Sequence, residues 1–185
     1  IRTGRIRNFL ELLSPAEIRR LADDAPVFAG AAQRPPLALW KTWLMLGGRG
    51  GGKTWAGSRW IRGVVAGDPH YPGDAAGRVA LVGETHSDAR AVMVEGESGI
   101  LAQYTAGERP QWNASRRELV WPNGTIGQVF SATDPEGLRG SQFGVAWCDE
   151  MAKWPRPDEA WDMLQFCLRL GRDPRRMITT TPKPI

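Results

Sequence analysis

The strongest constraint on this chain is the octapeptide Gly47-Gly48-Arg49-Gly50-Gly51-Gly52-Lys53-Thr54, which satisfies G-x-x-x-x-G-K-[ST] at every fixed position. Before it stands the apolar run Trp43-Leu44-Met45-Leu46, stopped by glycines, which predicts a buried parallel strand. After it, Trp55, Ala56, Trp60, Ile61 and Val64 mark one apolar face of a helix reaching about Gly67. The glycine-rich segment is therefore a loop between a strand and a helix. Such a loop lets successive backbone N–H groups turn inward around a polyphosphate, and the helix N-terminus adds a field that favours anions. In that geometry Lys53 reaches the β- and γ-phosphates and the Thr54 hydroxyl serves Mg²⁺. ATP and Mg²⁺ are the expected ligands, with Gly47, Gly48, Arg49, Gly50, Gly51, Gly52, Lys53 and Thr54 as the binding residues.

A second hydrophobic run, Phe143-Gly144-Val145-Ala146-Trp147-Cys148, delivers Asp149 and Glu150 at its C-terminal end. Ligands of open α/β sheets bind at the C-terminal ends of strands, so these carboxylates are expected to converge on the phosphate loop. Asp149 suits the metal, and Glu150 suits orienting and polarising an attacking water. Such a pair favours hydrolysis over transfer to a second substrate. Upstream, Gly137-Leu138-Arg139-Gly140 sets Arg139 in an exposed turn, from which it could reach a neighbouring subunit's γ-phosphate or simply form a surface ion pair. A third run, Arg176-Met177-Ile178-Thr179-Thr180-Thr181-Pro182, ends in three hydroxyl residues, which read either as a sensor of nucleotide state or as ordinary β-branched strand formers.

Other segments supply scaffold. Ser14-Pro15-Ala16-Glu17 predicts a helix over roughly 15 to 23, and the Ala- and Pro-rich stretch from Ala25 to Leu39 predicts irregular chain. Val79 to Gly83 reads as a buried strand with a helix from about Ser87, and Glu118 to Phe130 as a β-hairpin around Asn123-Gly124. Pro157 to about Leu170 predicts a helix with Asp158, Glu159 and Asp162 near its start. The strand–helix alternation gives the fold class: an α/β P-loop NTPase of the ASCE/RecA-like kind, with a mainly parallel central sheet flanked by helices and a β-hairpin insertion. Residues 1–32 are expected to form a helical lead-in and residues 33–185 the ATPase domain.

Composition removes other classes. No apolar run approaches the roughly 18 residues of a membrane span. Cys148 and Cys167 lack any metal or disulfide spacing, and His70 and His86 have no partner ligand nearby in sequence. The sequons at Asn113 and Asn123 read as chance. The formal charge of +4 comes from 24 basic residues, four of them Lys and 20 Arg. Arg-rich chains suit phosphate partners, but a high-GC genome produces the same skew, so charge does not choose between them. Arg116, Arg117, Arg169, Arg172, Arg175 and Arg176 read as solvated faces.

These motifs, taken in order from residue 33 to 182, resemble the ATPase domain of the large terminase subunit of tailed bacteriophages and gene transfer agents. Residues Trp43 to Thr54 are similar to that family's Arg-containing Walker A, Leu138-Arg139-Gly140 precedes an Asp149-Glu150 Walker B, and Thr179-Thr180-Thr181-Pro182 stands where the coupling motif stands. The resemblance implies a motor that drives double-stranded DNA into a procapsid, working as a ring, by resemblance a pentamer, on the portal protein and with the small terminase subunit. It implies Lys53 and Thr54 on phosphates and Mg²⁺, Asp149 on the metal, Glu150 on the water, Arg139 as intersubunit finger, and Thr179 to Thr181 in coupling. Arg49 competes with Arg139 for phosphate sensing, and Gln33 resembles the adenine-reading glutamine. The family's C-terminal nuclease domain has no counterpart in these 185 residues. The chain is expected to be part of a longer protein of the host cytoplasm, and no nuclease activity is expected of it. A RecA-like helicase and a nucleotide-binding regulatory module are the alternatives.

Overall fold

The computed structural model describes residues 9, 11–15, 17–18, 29–36, 40–71 and 73–182. The chain divides into two compact units, Ile1–Arg34 and Pro35–Ile185. In the first, residues 15, 17 and 18 are helical, and the cap expected at Ser14 is formed: its Oγ accepts the Glu17 N–H at 3.3 Å while the Glu17 carboxylate accepts the Ser14 N–H at 2.8 Å. The remainder of that predicted helix lies outside the described residues. A single 3₁₀ turn occupies Ala31–Gln33 within the stretch read as irregular.

The second unit is built on a seven-stranded sheet of β1 (Thr42–Leu46), β2 (Arg78–Gly83), β3 (Gln111–Asn113), β4 (Glu118–Val120), β5 (Ile126–Ser131), β6 (Val145–Asp149) and β7 (Arg175–Thr180). Their spatial order is β1-β7-β6-β2-β5-β4-β3. The first five in that order run parallel, while β4 and β3 add the antiparallel edge. β7 therefore lies between the strand that feeds the glycine loop and the strand that carries the carboxylates.

Period-2 alternation with both faces covered explains the apolar runs. Ala80, Val82, Ala146, Cys148 and Ile178 pack on one face with Ala160 and Leu164 of helix α2 (Pro157–Cys167). Val79, Leu81, Trp147 and Met177, also fully buried, take the alternate positions. Helix α1 (Lys53–Ala66) buries Ala56, Trp60, Ile61 and Val64 and stops at Gly67, whose φ of 68° lets its N–H cap the Gly63 carbonyl. At Gly57 an added Cβ would lie 2.2 Å from Cε2 of Trp147, so α1 crosses β6 closely enough that only glycine fits there.

Three expectations need correction. β1 is parallel but buried on one face only: among the described residues it pairs with β7 alone, at the sheet edge, so Trp43 and Met45 are buried while Leu44 and Leu46 are 53% and 57% exposed. α2 ends at Cys167 instead of Leu170, because the Cys167 carbonyl accepts the Phe143 N–H and Leu168 forms a parallel bridge with Phe143. The segment after β2 is one helical turn, His86–Asp88, continued by a π-helical stretch, Ala89–Val94, closed by the Glu95 N–H on the Arg90 carbonyl. The hairpin turns at Gly124 as predicted, with φ of 84°. Both cysteines are buried and unpaired. Among the described residues no helix is long and apolar enough to cross a membrane.

The Gly57–Trp147 crossing makes a prediction. Gly57→Ala should lose about 1–3 kcal/mol through overpacking, which in a domain of this size lowers the melting temperature by about 2–4 °C per kcal/mol. Gly77→Ala, whose Cβ meets nothing within 4 Å, should leave it unchanged. Thermal denaturation of the two variants checks this, and equal shifts would contradict it.

Candidate functional site

The glycine loop leaves β1 at Gly47, whose N–H donates to the Thr180 carbonyl at 3.2 Å and so ties the loop to the end of β7. Gly50 and Gly52 take positive φ, 74° and 70°, conformations that side chains with a Cβ avoid. Gly52 is the N-cap of α1, which places Lys53 and Thr54 in its first turn. The Lys53 side chain folds back over the loop. Its ammonium donates to the carbonyls of Gly47 (2.9 Å) and Gly48 (3.1 Å) and to the Thr181 hydroxyl (2.9 Å), with Glu150 Oε1 at 3.4 Å. A lysine side chain only 9% exposed requires such partners for its charge.

Asp149 ends β6 and is nearly buried. Burial pushes its carboxyl above the ordinary carboxylate value, opposed by the 2.6 Å hydrogen bond it accepts from the Thr179 hydroxyl. Glu150 follows with φ of 50°, a left-handed conformation rare outside glycine, and its N–H donates to the Thr179 carbonyl at 2.6 Å. The strained residue turns its carboxylate to Thr181, where Oε2 accepts the backbone N–H (3.2 Å) and Oε1 the hydroxyl (3.0 Å). Partial burial works to raise its carboxyl, but the two Thr181 donors, Lys53 and Lys153 outweigh it and hold the group below its usual value. Glu150 is thus ionised at neutral pH.

The three threonines read as one motif do different things. Thr179 is buried and bonds Asp149. The Thr180 hydroxyl accepts the Ala152 N–H at 3.0 Å. Thr181, just past the end of β7, alone touches both Lys53 and Glu150.

Lys53, Asp149 and Glu150 line a cavity of about 590 Å³, within the range of small-ligand sites. Gly50 to Thr54, Asp149, Glu150 and Lys153 border it on one side, and the ends of β2 and the following helical segment, including Glu84, Asp88 and Glu97, border it on the other. On sequence alone that second wall has only a scaffold role. The rule that brought Asp149 to the site, ligands at the C-terminal ends of parallel strands, applies equally to β2 and would have found Glu84.

Two further predicted residues of the second unit, Arg49 and Arg139, are not among the residues that line the cavity. Arg49 is exposed on the loop. Arg139 follows the 3₁₀ turn Pro135–Leu138, with its side chain 70% exposed and its guanidinium held by both Glu136 oxygens at 2.7 and 3.0 Å. Gln33 belongs to the first unit, where its Oε1 accepts the Gly30 N–H at 2.9 Å. His70 pairs with Asp68 and His86 with Arg117. Among the described residues no group of three or more His, Cys, Asp or Glu could hold a metal by itself. A divalent ion here would need phosphate oxygens and water to complete its shell, as Mg²⁺ commonly does. Thr54 and the nearly buried Asp149 border the same cavity, and a cation would offset the burial that raises the Asp149 carboxyl, so the residues fit that ion.

A family model described as "Terminase large subunit, T4likevirus-type, N-terminal" matches residues 44–185. The chain belongs to this family. It is the ATPase domain of a phage large terminase, the DNA-packaging motor, and an ATP hydrolase. Solved structures agree in fold. The ATPase domain of the Thermus phage P74-26 large terminase aligns with a TM-score of 0.55 at 19% identity, over 93% of this chain and 70% of that one. The large terminase of a thermophilic bacteriophage, solved in complex with ADP, aligns with a TM-score of 0.56 at 13% identity, over 88% of this chain and 37% of that one.

In this ATPase domain Lys53 is the buried cation that borders the cavity, so Lys53→Ala should weaken nucleotide binding about 10- to 100-fold, the loss of a charged hydrogen bond to phosphate. Titration of a fluorescent ATP analogue checks this, and unchanged affinity in a folded variant would contradict it.

Proposed function

We propose that this ATPase domain binds Mg-ATP in the cavity between the glycine loop and the Asp149-Glu150 carboxylates, and uses its hydrolysis to move double-stranded DNA into a procapsid. The observation that carries the reading is the triangle of Lys53, Thr181 and Glu150, in which one hydroxyl accepts from the phosphate-binding ammonium and donates to the carboxylate. A triphosphate entering the loop competes for Lys53. When Lys53 turns to phosphate, Thr181 and Glu150 give up its ammonium, Lys153 stays beside Glu150, and Glu150 is available to orient water in line with the γ-phosphate. Bound Mg²⁺, held by the Thr54 hydroxyl and Asp149, would neutralise charge on the β- and γ-phosphate oxygens. Thr181 then reports nucleotide state to β7, and Thr179 and Thr180 carry that report within the coupling motif.

Arg139 is the candidate for completing a neighbouring subunit's site, because it is exposed, lies outside its own cavity and is held only by the solvent-facing Glu136. This requires a ring, for which a pentamer on the portal protein, fed by the small terminase subunit in the host cytoplasm, is the family's arrangement. Arg49, exposed on the loop itself, is the rival phosphate sensor. Gln33 is the candidate for reading adenine, and residues 1–32 and 33–185 are the proposed lead-in and ATPase segments.

Two experiments test the reading. Glu150→Gln and Arg139→Ala should each bind ATP and each lose hydrolysis by at least about 100-fold, the scale set by a positioned base or an arginine finger. Mixed in one assembly on DNA, they should recover part of it, since each supplies what the other lacks; no recovery in mixed rings would place Arg139 outside the reaction. In Thr181→Val the loss of a donor raises the Glu150 carboxyl, so the acid limb of the hydrolysis profile should move to higher pH. An unmoved limb would separate Thr181 from Glu150.

A further inference from the structure

We propose that Trp147 is a positioning residue of this ATPase: its indole N–H, acting through the Thr179 hydroxyl, fixes the Asp149 carboxylate that faces the nucleotide cavity. The inference rests on the reading of Asp149 as the metal-side carboxylate and assigns Thr179 to that carboxylate, leaving Thr181 as the hydroxyl in contact with Lys53 and Glu150.

The direction of each bond follows from what each group can do. An indole nitrogen only donates. Trp147 Nε1 lies 2.8 Å from Thr179 Oγ1, so that oxygen accepts. The hydroxyl has one proton of its own and two acceptors in reach, Asp149 Oδ1 at 2.6 Å and the Cys148 carbonyl at 3.3 Å. The shorter bond to an anionic oxygen is the stronger, so the proton points to Asp149. The chain Trp147→Thr179→Asp149 therefore has one polarity, and donation into Thr179 makes its hydroxyl a better donor to the carboxylate. Trp147 and Thr179 are fully buried and Asp149 nearly so, which removes water as an alternative partner.

The indole itself cannot swing. Its Cε2, Cζ2 and Nε1 fill the space where a Cβ at Gly57 would stand, so the ring is wedged beneath α1, the helix that begins with Lys53 and Thr54. One aromatic ring thereby sets the distance between the two halves of the proposed metal site. The Thr179 carbonyl adds a second constraint, since it accepts the Glu150 N–H at 2.6 Å and helps to hold that residue in its left-handed conformation. Burying an indole requires some partner; the purpose proposed here is that the partner hands the interaction on to Asp149.

The test is the Mg²⁺ enhancement of nucleotide affinity, measured with a fluorescent ATP analogue in EDTA and in saturating Mg²⁺. Trp147→Phe keeps a ring and removes the donor; Thr179→Val keeps the branched shape and removes the relay; Thr179→Ser keeps the relay. The first two should retain wild-type affinity in EDTA and lose two- to tenfold of the Mg²⁺ enhancement, the scale of one hydrogen bond, while Thr179→Ser retains it. Wild-type enhancement in Thr179→Val would overturn the proposal, as would an equal loss of affinity in EDTA and in Mg²⁺, which marks a merely structural role. Wild-type enhancement in a folded Trp147→Phe would overturn the role of Trp147 even where Thr179→Val loses it; should that variant not fold, Trp147→Met, which also lacks the donor, takes its place. Asp149→Ala separates the two levels: if it keeps full enhancement, the metal-side reading of Asp149 falls and the proposal with it. If it loses enhancement while Thr179→Val does not, only the proposal falls.

Discussion

The nucleotide-facing half of this domain depends on how the chain itself satisfies the Lys53 ammonium. A charge this buried cannot be left unpaired, and the chain provides two loop carbonyls, the Thr181 hydroxyl and the nearby Glu150 carboxylate. Those partners come from the loop, the end of β7 and the end of β6, so one side chain joins the three motifs. The same partners compete with phosphate for the ammonium. In the proposed cycle, nucleotide binding is therefore an exchange of acceptors, and the exchange itself carries information to β7.

Strand order makes this possible. Because β7 separates β1 from β6, the residues at its C-terminal end stand between the phosphate loop and the carboxylates. Alternation then sorts the threonines: Thr179 lies on the face of Trp147 and Asp149, Thr180 on the opposite one, and Thr181 leaves the strand. A sheet in which β1 and β6 were neighbours would leave no element from which a hydroxyl could reach both Lys53 and Glu150. The close crossing of α1 over Trp147, permitted by Gly57, holds the two sides in register.

Much of this was legible in the sequence because it rests on local rules. The glycine loop between an apolar run and an amphipathic helix, the Asp149-Glu150 pair at a strand end, the Asn123-Gly124 hairpin and the Ser14 cap each follow from a few adjacent residues. What was not legible depends on distant partners. Trp43 to Leu46 reads as apolar whether the strand is central or at an edge, and only the pairing with β7 decides. Gln111–Asn113 became a strand by pairing with β4, its polar–apolar–polar alternation being too short to announce it. The positive φ of Glu150 and the separate roles of the three threonines come from contacts between β6 and β7, which no run of residues encodes. Asp88 and Glu97, beyond the strand end that marks Glu84, entered the cavity wall through the placement of the segment that follows β2.

The most direct test of the account is a structure of this chain with a non-hydrolysable ATP analogue and Mg²⁺. The account predicts the triphosphate lying between Gly50–Thr54 and the two carboxylates, with the Lys53 ammonium moved from Thr181 to phosphate oxygen and Thr179 still bonded to Asp149. A nucleotide bound elsewhere, or Lys53 still bonded to Thr181 with phosphate in place, would contradict it.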